Sequence, residues 1–170
     1  MSTFHAGLPN HATVCCVYAD TDHCEGSETM CGGVEARDAE RSFKVYFPSP
    51  KAAFPVMLEG GEALGWVKWG KRKEEAGSGP QGGWARLETV EPGGWDKYRP
   101  QRAFGLIDRY MEKDASRKSH WFDMQPGYGL DCLVLGEGEH RRVYVVTSTP
   151  PEAYAWIHDR WPMVRNVETD

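Results

Sequence analysis

Long apolar runs are missing from this chain of 170 residues. None approaches the ~20 residues that a membrane-spanning helix needs, so no membrane helix is expected. The first 29 residues also lack the basic start and apolar block of a secretory signal, and the protein is expected to be soluble and cytoplasmic. Cysteine is sparse and odd in number: Cys15, Cys16, Cys24, Cys31 and Cys132. Without a signal sequence, that argues against a disulfide framework. A basic excess is missing as well, the formal net charge being -5. Asp20, Asp22, Glu25 and Glu28 contribute four of those negative charges, which leaves 20 Lys and Arg against 21 Asp and Glu elsewhere. Bulk charge therefore does not point to nucleic acid, and a phosphate-binding patch would have to be local. Internal repeats and interdomain linkers are absent too, and the length fits one domain with a real core.

Residues 1–30 mix His, Cys, Pro and Gly without a helical or strand period. They are expected to be a disordered leader or the product of a misassigned start, with the domain occupying 31–170. Cys15, Cys16, His23, Cys24 and Cys31 could be read as a zinc site. The adjacent Cys15–Cys16 pair tends to splay its thiols, and no second C-x2-4-C knuckle follows, so no metal and no cofactor is expected.

Beyond Met30 the pattern is one of short strands and turns. F-K-V-Y-F (Phe43–Phe47) alternates, F-P-V-M-L (Phe54–Leu58) follows a Pro-rich link, and Gly60–Glu62 turns into A-L-G-W-V-K-W. Lys71–Gly83 is charged and Gly-rich, which predicts a loop. W-A-R-L-E-T-V reads as extended, with Arg86 and Glu88 on one face. A-F-G-L-I, S-H-W-F-D and Y-G-L-D-C-L-V-L are further strands. The run L-V-L-G-E-G-E-H-R-R-V-Y-V-V predicts a hairpin about Gly136–Gly138. Thr149 is expected to cap a short helix beginning near Pro150 or Pro151. The fold expected is α+β: a single β-dominated mixed domain with a few short helices.

Four positions could carry chemistry. Cys31 precedes two glycines that leave its backbone accessible. Arg86 and Glu88 alternate on a strand, Glu112 ends an apolar segment, and His158 is flanked by Asp159 and Arg160. Singly, each also fits a turn cysteine, a solvated charge or a helix-end histidine. Together, Cys, His and Glu permit a nucleophile–base–orienter set.

The stretches M-C-G (Met30–Gly32), W-G (Trp69–Gly70), A-R-L-E-T (Ala85–Thr89), M-E-K around Glu112 and V-V-T…I-H-D-R-W-P (Val145–Pro162) occur in one order. That order resembles the SOS-response-associated peptidase (SRAP) family, proteins that process abasic sites in DNA. The resemblance spans Met30 to about Val164. It implies a reactive cysteine exposed by removal of Met30 (Cys31), a catalytic Glu112, a catalytic His158 and a phosphate-contacting Arg86. The chain departs from the family at Trp84, where the motif has Asn, around Val45–Pro50, where an Asn-x-Ala-Pro stretch is replaced, and at Gly33, which stands for Arg.

The resemblance further implies a monomer acting on single-stranded DNA with abasic sites, in the manner of a peptidase or lyase of the SOS response to DNA damage. Its product would be a covalent protein–DNA linkage. An N-terminal cysteine has an α-amine and a thiol on adjacent carbons, which close a thiazolidine on the sugar aldehyde. The unperturbed amine has a pKa of about 7.7–8.0 and the thiol about 8.5. Lys71 and Arg72, with Lys68 and Lys73, would assist Arg86 on phosphates, and Trp69 or Trp84 would stack on a base or pack in the core. Three alternatives stay open: a cysteine peptidase using Cys31 and His158, a non-catalytic single-stranded nucleic-acid-binding domain, and a zinc protein.

Overall fold

The computed structural model describes residues 32–167. Cys31 and residues 1–30, with the leader expectation, lie outside them. The described residues form twelve strands in order. They are β1 (Gly33–Asp38), β2 (Arg41–Tyr46), β3 (Ala53–Leu58), β4 (Ala63–Lys68), β5 (Trp84–Arg86), β6 (Gln101–Gly105), β7 (Arg109–Lys113), β8 (Ser119–Asp123), β9 (Tyr128–Leu135), β10 (Arg142–Ser148), β11 (Trp161–Pro162) and β12 (Val164–Asn166). One helical turn, α1 (Leu87–Val90), and three short 3-10 turns complete a single β-dominated domain. Among the described residues, no helix is long and apolar enough to cross a membrane.

Two sheets divide the strands. The smaller runs β2-β1-β7-β8, and the larger runs β11-β10-β9-β6-β3-β4, with β12 added on β9 and β5 parallel to β10. Strand alternation then sorts the core. Leu130, Cys132 and Val134 of β9, with Val143 and Val145 of β10, join Val34, Ala36, Phe54 and Trp69 in one cluster. Leu133, Leu135, Tyr144 and Val146 face the other way, onto Ala85 and Trp95. The central hairpin is thus buried on both faces, which is why its sequence is an almost unbroken apolar run.

Two local expectations are corrected. W-A-R-L-E-T-V is extended only through Arg86 and then winds into α1. Leu87 and Val90, three apart, both pack on the second cluster, which an extended chain could not arrange. Thr149 caps no helix: the 3-10 turn Glu152–Tyr154 starts after Pro151, with no side-chain cap. A residue before proline is held extended, so Pro150–Pro151 delays the turn beyond the reach of Thr149.

The Trp-Gly pair at 69–70 has a backbone reason. Gly70 sits at φ +54°, and its N–H donates to the Val143 carbonyl at 2.8 Å. A Cβ there would fall inside contact distance of the Gly82 carbonyl oxygen and 2.6 Å from Gly83 Cα. Backbone cannot yield as a side-chain tip can. Gly70→Ala is expected to cost about 2–4 kcal/mol, read as a lowered urea midpoint with unchanged slope. A midpoint equal to wild type would show that the two segments can separate freely.

Candidate active site

The chain enters the smaller sheet at Gly32, and its two glycines are needed there. A Cβ on Gly32 would lie 3.0 Å from the Trp84 ring and 3.4 Å from Trp69, and one on Gly33 would lie 3.1 Å from Met111 and Tyr46. The Gly32 carbonyl accepts the Phe47 N–H at 3.1 Å, so the backbone is pinned between aromatic rings. Gly33 is in register with Met111 of β7, so the chain reaches the position beside Glu112 as it passes Gly32.

Glu112 is the chemical anomaly of this region. Only 3% of it is exposed, and it lines a narrow cleft with Gly32, Trp84, Tyr110, Val145 and Pro162. The free space is about 10 Å³, room for about one water. Burial, with no offsetting charge among the described residues, pushes the Glu112 carboxyl up to about 8. Burial likewise raises the neighbouring Tyr110 hydroxyl. A larger groove of about 520 Å³ runs past Phe43, Lys44, Tyr46 and Trp66 on β2 and β4. None of the sequence-derived candidates lines it, and its charged groups, Asp38, Lys44 and Lys51, are solvated surface side chains.

The two motif-bearing stretches around Arg86 and around His158 are joined by an ion pair that the sequence did not reveal. Arg160 donates to Glu88 Oε1 at 2.9 Å and Oε2 at 2.8 Å, and to the Thr147 carbonyl at 2.7 Å. This two-pronged bond holds the exposed Glu88 carboxyl down at about 2. It ties the His158 loop to α1 and β10. His158 Nδ1 lies 3.0 Å from the Arg160 amide N–H and 3.0 Å from Asp159 Oδ1. The two contacts are mutually exclusive: a bare Nδ1 accepts from the amide, and an Nδ1–H donates to Asp159.

His158 does not line the Glu112 cleft, but its loop covers the same face of the smaller sheet. Tyr110 and Phe122 are cross-strand partners on that face. Trp161 packs edge-on against both, at 5.9 and 5.0 Å, and Tyr154 packs on Phe122 at 5.3 Å. The structure therefore brings Gly32, Trp84 and Glu112 together, with the His158 segment laid over the adjoining surface.

The remaining candidates divide. Arg86 is exposed at the end of β5. Trp84 is half-buried, packed on Phe47 at 4.4 Å. Trp69 is 2% exposed, donates to the Gly83 carbonyl at 2.9 Å, and meets the rings of Phe47, Phe54 and Trp84. Its faces are taken up by packing, which leaves none for a base. Arg72 donates to the carbonyls of Trp69 and Phe47 and sits 4.3 Å over the Phe47 ring, and Lys71 donates to the Gly77 carbonyl. Lys68 pairs with Glu75 at 2.8 Å. Lys68, Lys71 and Arg72 thus tie down the Lys71–Gly83 loop, and Lys73 is the exposed member of the run. Cys132 is fully buried, and burial raises its thiol, so it is no competing nucleophile.

No protein-family profile matches the chain, and no solved structure matches it. A curated protein, the pheromone-processing carboxypeptidase KEX1 of Uncinocarpus reesii, is 29% identical over 110 residues. The match covers 61% of this chain and 17% of that protein, too small a share to bring its activity here.

Proposed function

We propose that this protein forms a covalent crosslink with abasic sites in single-stranded DNA through Cys31 as an N-terminal residue. The observation that carries the reading is Glu112. A carboxyl near 8 sits in a nearly dry cleft beside Gly32, one peptide bond from Cys31. An α-ammonium of about 7.7–8.0 and such a carboxyl are matched, so a proton passes between them with little free-energy cost.

In its ionised form Glu112 takes a proton from the Cys31 ammonium, and the freed amine attacks the sugar aldehyde to give a carbinolamine. Glu112 returns the proton to the departing hydroxyl, and water leaves as the Schiff base forms. The Cys31 thiol then adds to the imine carbon, its proton passing to nitrogen, and a five-membered thiazolidine closes. His158 moves a proton at the sugar ring oxygen while the closed sugar opens to the aldehyde. Arg86 holds a backbone phosphate, and the accessible part of Trp84 faces the strand.

Protein beginning at Cys31, incubated with an oligonucleotide carrying one abasic site, tests this on a denaturing gel followed by digestion and mass analysis. The expected product carries the N-terminal peptide plus the sugar fragment, less one water. An adduct on another residue, or none, defeats the proposal, and hydrolysis of an amide in place of crosslinking would move the assignment to a cysteine peptidase.

Arg86→Ala is expected to weaken binding to intact single-stranded DNA and to reduce the slope of log affinity against log salt by about 0.7, one phosphate contact. Fluorescence anisotropy from low to moderate salt measures it. An unchanged slope would remove Arg86 from the phosphate contacts.

A further inference from the structure

The register of the smaller sheet places a second acid–base unit beside Glu112. Glu112 of β7 is directly paired with His120 of β8. Directly paired residues of antiparallel strands point to the same face, with Cβ atoms about 4.5–5.5 Å apart. Asp114 continues the β7 alternation onto that face, and its Oδ2 lies 2.7 Å from His120 Nε2. Asp114 is itself fixed: its Oδ1 accepts from Ser116 N–H, Ser116 Oγ–H and Lys118 N–H at 2.9, 2.6 and 3.0 Å. These bonds, with His120 foremost, hold its carboxyl well below the usual range. His120 also packs edge-on under Trp156 at 5.2 Å.

We propose that His120, oriented by Asp114, is a positioning and proton-transfer residue that links buried Glu112 to solvent. The proposal rests on Glu112 being the acid–base group of the site. A carboxyl with 3% exposure exchanges protons with water slowly unless a neighbour carries them, and His120, its cross-strand partner, has 20% of its side chain accessible to solvent. The bond to Asp114 fixes the neutral ring's proton on Nε2 and leaves Nδ1 as acceptor. Glu112 O–H gives its proton to Nδ1 through one bridging water, leaving a carboxylate and an imidazolium. Nδ1–H then returns the proton to Glu112 or releases it to solvent, and Asp114 stabilises the cation throughout. Other titratable or charged groups around this face are Tyr110 on β7, Lys118 before β8, and Tyr154, His158, Asp159 and Arg160 on the covering segment. Asp159 and Arg160 are occupied with His158 and Glu88.

NMR titration of the full chain tests the link without reference to DNA. The Glu112 side-chain carbon and the His120 ring nitrogens are followed from about pH 5 to 10, a span that brackets the ordinary histidine value and a strongly raised carboxyl, in wild type, Glu112→Gln and His120→Phe. His120→Gln serves as a second variant should the Phe protein fail to fold. Each group is expected to show an inflection at the other's midpoint. Loss of the imidazole should move the Glu112 midpoint and leave it a single, simple titration, since the two groups no longer titrate as a pair. In the Cys31-first protein, the crosslinking pH profile should move with that midpoint. Independent titrations, and a profile unchanged in the His120 variants, would overturn the link. If wild type shows mutual inflections but no crosslink, the link stands and the DNA reading fails.

Discussion

Replacing Glu112 by Gln is expected to slow crosslinking by about 10²–10⁴, the usual cost of losing a positioned proton-transfer group. Binding to intact DNA should be nearly unchanged, because the cleft is too small to hold a phosphate group. The same substitution should reshape stability against pH, with a sign opposite to that of most carboxylates. The Glu112 carboxyl is raised from 4.5 to about 8 in the folded protein. Between those values the folded state keeps a proton that the unfolded chain has released. Stability therefore falls as pH rises from 4.5 to about 8, and the loss is complete above that. At about 1.36 kcal/mol per unit the penalty is about 5 kcal/mol at most, and a few kcal/mol near neutrality. Gln carries no such penalty, so the variant gains on wild type as pH rises, whatever fixed cost the buried amide brings. Urea unfolding of both full-length proteins at the two ends of that window, 4.5 and about 8, and at one point between them measures this. A constant difference across the three would mean that Glu112 is ionised and solvated in the folded state.

How much of the fold and the site was legible beforehand depended on whether a residue's role is set locally. The β9–β10 hairpin was readable because two β-rich runs flank a glycine turn, and β8 because S-H-W-F-D is aromatic-rich. β1 was not, since G-G-V-E-A-R-D shows only Val34 and Ala36 as apolar positions, although both are buried. The turn at Leu87 was hidden for a related reason: it is chosen by the second core cluster and not by propensity. Glu112 could be picked out as a candidate, but its burial could not, because that comes from residues as distant as Trp84, Val145 and Pro162. Arg160–Glu88 and His120–Asp114 escaped for the same cause. One spans 72 positions, and the other depends on strand register. The basic run near Lys71 shows the converse, since charge in sequence suggested phosphate and the fold spends much of it on carbonyls and Glu75.

Cys31→Ser, in protein that begins at residue 31, is expected to abolish the stable adduct altogether. The hydroxyl retains the geometry but closes an oxazolidine that reopens readily, so heat or denaturant should return free DNA. The α-amine remains, and borohydride should still trap the imine formed in the first step, the condensation at nitrogen. Blocking that nitrogen has the complementary effect. In the chain beginning at Met1, the Cys31 nitrogen is a peptide amide whose lone pair is delocalised into the carbonyl, so it cannot condense. Uncleaved full-length protein should therefore give neither thiazolidine nor trapped imine, even though its thiol is intact. A cut between Met30 and Cys31 should restore both. The two proteins separate the two nucleophiles: loss of sulfur leaves a reducible intermediate, and loss of the amine leaves nothing. Crosslinking by uncleaved protein at the rate of the Cys31-first form would place the reactive nitrogen on a lysine, and the role assigned to Glu112 beside Gly32 would go with it.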